Sequence, residues 1–260
     1  MHRSAALRAL LVSVIALVLV IANVAPIEAS HSWGGYHWAR TTNSFTLKLG
    51  DNLSASWKPY LGTASSDWTQ SAVLDTTIVA GAAKANCRPT SGRVEVCNKA
   101  YGSNGWLGLA QIWITDSTHI TQGAVKLNDT YFVLAQYNNA SEKLHVVCQE
   151  VGHTFGLDHQ DTSGASLNTC MDYYRNVTND GISTHPNQHD YDELATIYAH
   201  LDTYTTIKAA VAAPGSGAAA DGGDDGTPRG ASPSRGSWYV EDHGGGRYLV
   251  THIYWAASGR

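Results

Sequence analysis

The stretch Gln149-Glu150-Val151-Gly152-His153-Thr154-Phe155-Gly156-Leu157-Asp158-His159 decides how the rest of this chain is read. Upstream, Leu144, Val147, Cys148, Val151 and Phe155 recur at helical spacing, and Ser141 is placed to cap the helix they predict. Helical residues four apart lie roughly 6 Å from each other on one face, so Gln149 and His153 can converge on one ion. Glu150 projects from the neighbouring flank, where it can hold a water without ligating the metal. Gly156 can take the left-handed conformation that ends the helix, and the resulting turn returns His159 toward the same point. Glu150, His153 or His159 alone would be unremarkable in a chain with 12 histidines. Together, with the glycine between them, they describe one site.

The match of Glu150, His153, Gly156 and His159 resembles the metzincin zinc peptidases, whose signature H-E-x-x-H-x-x-G-x-x-H is followed by a Met-turn. Cys170-Met171-Asp172-Tyr173 is the candidate Met-turn, with Met171 12 residues beyond His159. The resemblance implies a twisted mixed sheet with an active-site helix and a C-terminal helix, an α/β (α+β) fold. It implies Zn2+ as cofactor, Glu150 as general base and proton shuttle, and Tyr173 beside the metal as oxyanion stabiliser. It also implies that an extended peptide adds to an edge strand over residues 107–114. One position departs from the pattern: the family's first zinc-binding histidine is Gln149 here. An amide oxygen is a weaker zinc donor than imidazole. Three readings stay open: Gln149 ligates through its carbonyl oxygen, a water or Tyr173 fills the place, or the site has decayed. His145 is no substitute, because eight helical residues set it about 12 Å from His153 along the axis. His119, His185, His189 and His200 show no ligand spacing and receive no role.

Working outward, strands are predicted over 45–49, 94–97, 107–114 and 121–127, and helices over 66–74, capped by Ser66, and 190–201. Residues 209–235 change character: Ala, Gly, Ser and Pro supply 20 of the 27, as in a flexible linker. Beyond it, two alternating aromatic segments around Gly244-Gly245-Gly246 predict a hairpin, with Trp238, Tyr248 and Trp255 as packing residues. An isolated hairpin is marginal in water, so it should pack on the main domain or meet a partner. The expected organisation is a leader over 1–29, a catalytic domain over 30–208, the linker, and the hairpin segment over 236–260.

The N-terminus sets the compartment. Arg3 and Arg8 precede an apolar stretch over 9–22, too short to cross roughly 30 Å of hydrocarbon, and Ala29 offers a cleavage site. This pattern predicts a secretory signal peptide and a secreted, extracellular chain with no membrane contact after cleavage. Export permits disulfides, and of the three pairings open to Cys87, Cys97, Cys148 and Cys170 the favoured one is Cys87–Cys97 with Cys148–Cys170. The second bridge would tie the active helix to the Met-turn. Asn52, Asn128, Asn139 and Asn176 fall in glycosylation sequons, which are common by chance.

The 260 residues are 43% hydrophobic and 15% charged with a net charge of −5, which excludes a disordered chain and gives no basic surface for nucleic acid. The expectation is a monomeric, secreted zinc metalloendopeptidase acting on extended peptide or protein substrates. Its rival is a non-catalytic secreted binding protein on a degenerate scaffold of the same kind. Calcium sites are not assigned by the sequence.

Overall fold

Alternation makes the first long strand. In β2 (Phe45–Asn52), Phe45, Leu47 and Leu49 are buried while Thr46 and Lys48 face solvent. The fold is given by a computed structural model that describes residues 30–82, 85–176, 178–207 and 237–257. The expected leader over 1–29 and the linker over 209–235 lie outside the described residues. The remaining strands are β1 (His37–Trp38), β3 (Leu74–Ala80), β4 (Val94–Lys99), β5 (Trp106–Thr115), β6 (His119–Asn128), β7 (Ser237–Asp242) and β8 (Tyr248–Trp255). They form one eight-stranded mixed sheet in the order β3-β2-β4-β6-β5-β8-β7, with β1 pairing β6. β1, β2, β3, β4 and β6 pair in parallel. β5, β8 and β7 continue the sheet through antiparallel ladders.

The helices are α1 (Lys58–Trp68), α2 (Asp129–Phe132), α3 (Ala140–His153) and α4 (Gln188–Ile197). α1 corrects the helix expected over 66–74. Pro59 suits a first helical turn, and Leu61, Ala64, Ser65 and Trp68 bury one stripe. The chain then continues into β3, whose parallel pairing with β2 begins at Leu74. α3 is capped by Asn139 and not by Ser141: the Asn139 side chain accepts from the Glu142 N–H, while Ser141 bonds Asn179. α4 begins at an Asn187–Asp190 capping box and stops at Ile197, short of the expected residue 201. Tyr198 is thereby released from the helix to donate to the Phe155 carbonyl at 2.9 Å. Asn128 and Asn139, two of the sequon asparagines, thus serve as helix caps.

α3 is buried along most of its length. Every residue from His145 to His153 is buried, whereas Leu144, expected on the apolar face, is only half-buried. Val146, Val147 and Val151 join Leu47, Val94 and Val125 in the main core. Trp68 of α1 packs alongside and donates its indole N–H to the Cys148 carbonyl at 3.1 Å. Gly108 of β5 lets α3 approach the sheet, since a Cβ there would stand 2.5 Å from Val146. On the opposite face of β5 and β8, Trp106, Leu109, Ile253 and Trp255 form a second apolar cluster.

The hairpin strands β7 and β8 therefore belong to the same sheet as the rest of the described chain. Because β8 pairs along β5 from Tyr248 to Trp255, β5 is an interior strand. The expected peptide-binding edge over 107–114 is already filled by the protein's own chain. Cys87–Cys97 and Cys148–Cys170 are both disulfide-bonded. No helix among the described residues is long and apolar enough to cross a membrane.

Candidate metal centre

α3 carries Gln149, Glu150 and His153 at its C-terminal end, and the turn after it is built tightly. Gly156 has φ +95°, and a Cβ there would meet the Tyr36 carbonyl oxygen at 2.0 Å. The carbonyls that the ending helix exposes are taken up by Trp38, whose indole donates to Thr154 at 2.9 Å, and by Tyr198. Trp33 N–H donates to the Gly156 carbonyl at 2.8 Å. With the turn fixed, His159 comes back against His153, their Nε2 atoms 3.1 Å apart.

Met171 is fully buried under this arrangement. A Cβ on Gly152 would stand 2.7 Å from its sulfur and 2.6 Å from the Trp68 ring, so helix, tryptophan and Met-turn candidate close on a glycine that has no space to spare. The Cys148–Cys170 bridge ties the helix to the residue before Met171. Tyr173 lies with its ring 4.2 Å from that of His159, edge to face, and burial raises its phenol above the ordinary range.

Gln149 is anchored from behind. Its amide nitrogen donates to the carbonyls of Cys170 at 2.9 Å and Asp172 at 2.8 Å. Its buried Oε1 has no hydrogen-bond partner. His145 is turned away to the Ser183 carbonyl at 2.5 Å.

The third imidazole comes from a residue that the sequence reading passed over. His252, in the middle of β8, joins His153 and His159 so that one ring nitrogen from each lies within 4.8 Å of the others. All three are buried. Each ring is fixed through Nδ1 by an acceptor: the Leu157 carbonyl for His153 at 2.9 Å, Asp158 Oδ1 for His159 at 3.0 Å, and Glu150 Oε2 for His252 at 3.1 Å. A proton held on Nδ1 leaves Nε2 as a lone pair, the form that binds a metal. His252 Nε2 is buried and has no hydrogen-bond partner. Burial, reinforced by the neighbouring imidazoles, holds His153 and His159 well below the usual histidine range and so keeps them neutral. Three buried lone pairs with no donor among them fit a zinc ion's preference for imidazole nitrogen.

Glu150 is fully buried, and burial raises its carboxyl above the ordinary range, an effect that His252 partly offsets. One oxygen holds His252, while the other, Oε1, is buried without a hydrogen-bond partner. Trp238 of β7 closes the centre from the side. Its ring centroid lies 4.5 Å from that of His252 and 4.8 Å from that of His153, and its indole N–H donates to Asp158 Oδ1 at 3.0 Å.

The signal for His252 was present but not local. Val250 and Tyr254 face the main core, Ile253 and Trp255 the second cluster. The period of two along β8 therefore puts His252 on the face toward α3. That parity, read with the histidine missing at 149, points to the donor. No protein-family model matches the chain, and no curated protein matches it.

Proposed function

We propose that this chain is a secreted zinc-dependent endopeptidase of metzincin type whose third zinc-binding histidine is supplied by the C-terminal hairpin. The observation that carries this reading is the meeting of His153, His159 and His252 around Glu150, each ring oriented by its own acceptor. His252 takes over the ligand role that the resemblance assigned to position 149. Gln149 Oε1 remains the adjacent oxygen donor.

Zinc bound there would act as a Lewis acid on a substrate carbonyl and make water a better nucleophile. Glu150 is the proton-handling group: Oε1 takes a proton from the attacking water and passes it to the leaving amine. Burial raises the proton affinity of Glu150, which suits the second half of that transfer. Tyr173, held against His159, is the candidate donor to the developing oxyanion. Casein or gelatin hydrolysis by purified full-length protein, abolished by a chelator and restored by zinc, tests the reading. Absence of hydrolysis by the zinc-loaded protein would contradict it.

A second reading is favoured by one observation. β8 occupies β5, the strand along which an extended peptide would add, and Trp238 covers the histidines. In this conformation the centre is closed, as in a non-catalytic binding protein that uses its metal to pin the hairpin. Zinc held by the full-length protein without any hydrolysis would favour this second reading over the first.

A further inference from the structure

Outside this centre, a second group of histidines converges on a carboxylate. His37 lies in β1, His119 opens β6 directly across from it in the parallel register, and His200 and Asp202 follow α4. His37 Nε2 stands 3.1 Å from His200 Nε2. Asp202 Oδ1 is 3.5 Å from His37 Nε2, 3.8 Å from His200 Nε2 and 3.2 Å from His119 Nε2.

The surroundings settle what these atoms present to one another. His37 Nδ1 lies 2.8 Å from the Gly35 carbonyl, which can only accept, so its Nε2 carries a lone pair. His119 Nδ1 lies 2.8 Å from the Tyr204 hydroxyl, whose hydrogen goes to Asp116 at 2.5 Å. His119 Nδ1 is therefore a donor as well, and its Nε2 faces Asp202 Oδ1. Asp202 Oδ2 is taken by Arg40, through the backbone N–H at 3.0 Å and the guanidinium at 3.2 Å. Oδ1 is thus aimed at the histidines. The His37 lone pair, the Asp202 oxygen and a ring nitrogen of His200 face one another, all within 4.8 Å. With His200 also presenting a lone pair, they make a donor set for a cation.

We propose that His37, His200 and Asp202 bind a second zinc ion, with a structural role. Two imidazoles and one carboxylate supply three zinc donors, and a tetrahedron with zinc–donor bonds of about 2.0 Å has edges of about 3.3 Å. The three separations among these donors, 3.1, 3.5 and 3.8 Å, bracket that edge. The Gly35 carbonyl on His37, and the Arg40 clamp and His119 on Asp202, are the outer partners that metal sites employ. The ion would staple β1 to the chain after α4. β1 also carries Trp38, which supports the turn after α3. The second site rests on its own residues and stands whether or not the first centre is catalytic.

The test is zinc stoichiometry of full-length protein, stripped with chelator, reloaded with Zn2+ and desalted. His200 is 53% exposed, so H200A removes a donor with little disturbance of packing; H119A/H200A removes that donor and the partner of Asp202 Oδ1. Wild type should hold two zinc ions, H119A/H200A one and H159A/H252A one. Zinc should raise the melting temperature of H159A/H252A and raise it less, or not at all, when H200A is added. A single wild-type ion lost in H119A/H200A but kept in H159A/H252A would uphold this site and remove the first centre. A single ion with the opposite pattern would overturn the second site and leave the first standing. H119A/H200A holding as much zinc as wild type, or a wild type that takes up none, would overturn it too.

Discussion

Glu150 Oε2 and His252 Nδ1 stand 3.1 Å apart, both fully buried, and they join α3 to the C-terminal hairpin inside the proposed zinc centre. Glu150 thereby has two duties: one oxygen orients a ligand from outside the metal's own shell, and the other is left for proton transfer.

The first prediction follows from that division. Glu150→Gln should lower peptide hydrolysis by roughly 10²–10⁴-fold, the usual worth of a positioned acid–base group. It should also weaken zinc by roughly 10–100-fold, the usual cost of losing an outer partner. Chelator competition separates the two effects, with turnover measured at saturating zinc. Turnover near wild type under those conditions would remove Glu150 from the mechanism.

Position 149 and position 252 should behave differently. His252→Ala should cost more zinc affinity than the roughly 10–100-fold expected for an outer partner. Gln149→Ala leaves the Cys170 and Asp172 carbonyls without their donor, which should destabilise the fold by roughly 1–3 kcal/mol. Its zinc affinity should fall far less than that of His252→Ala. If zinc competition ranked the two variants the other way, Gln149 would be the principal ligand and His252 a bystander.

The Cys148–Cys170 bridge closes a span of 22 residues. In the chain-entropy picture such a loop stabilises by roughly 3 kcal/mol. At roughly 2–4 °C per kcal/mol, the double alanine variant should melt roughly 6–12 °C lower in a thermal scan at fixed zinc. An unchanged midpoint would show that the bridge contributes little to holding the helix against Met171.

Gly156 is required twice, by its φ of +95° and by the Tyr36 carbonyl where a Cβ would sit. The left-handed strain alone costs roughly 1–3 kcal/mol, and the collision adds to it. Gly156→Ala should therefore lower the urea midpoint and displace His159, weakening zinc as well. A variant with wild-type stability and zinc affinity would mean that the turn is not held as described.

What the sequence made legible was local. Glu150, His153, Gly156 and His159 lie on one helix and the turn that ends it, so helical spacing and a glycine are enough to bring them together. Helix α1 was misplaced because the window over 66–74 was read without the pull of β2, which takes residues from Leu74 into a parallel strand. His252 escaped because its position is set by sheet register: β8 reaches the site through its pairing with β5, far away in sequence. His37, His119, His200 and Asp202 escaped for the same reason. β1 meets β6 only through a short parallel pairing, and the segment after α4 folds back on Arg40, whose carbonyl accepts from Asp202 N–H at 2.9 Å. Helical spacing exposes ligands on one element; ligands from separate strands become visible only when their register is known.

The central claim is that the C-terminal hairpin completes a zinc centre with α3. Anomalous diffraction at the zinc edge, from crystals of full-length protein grown with zinc, tests it most directly. The account predicts a zinc peak roughly 2.0–2.1 Å from one ring nitrogen of each of His153, His159 and His252. No zinc at these histidines, or zinc held by His153, His159 and Gln149 with His252 turned away, would contradict it.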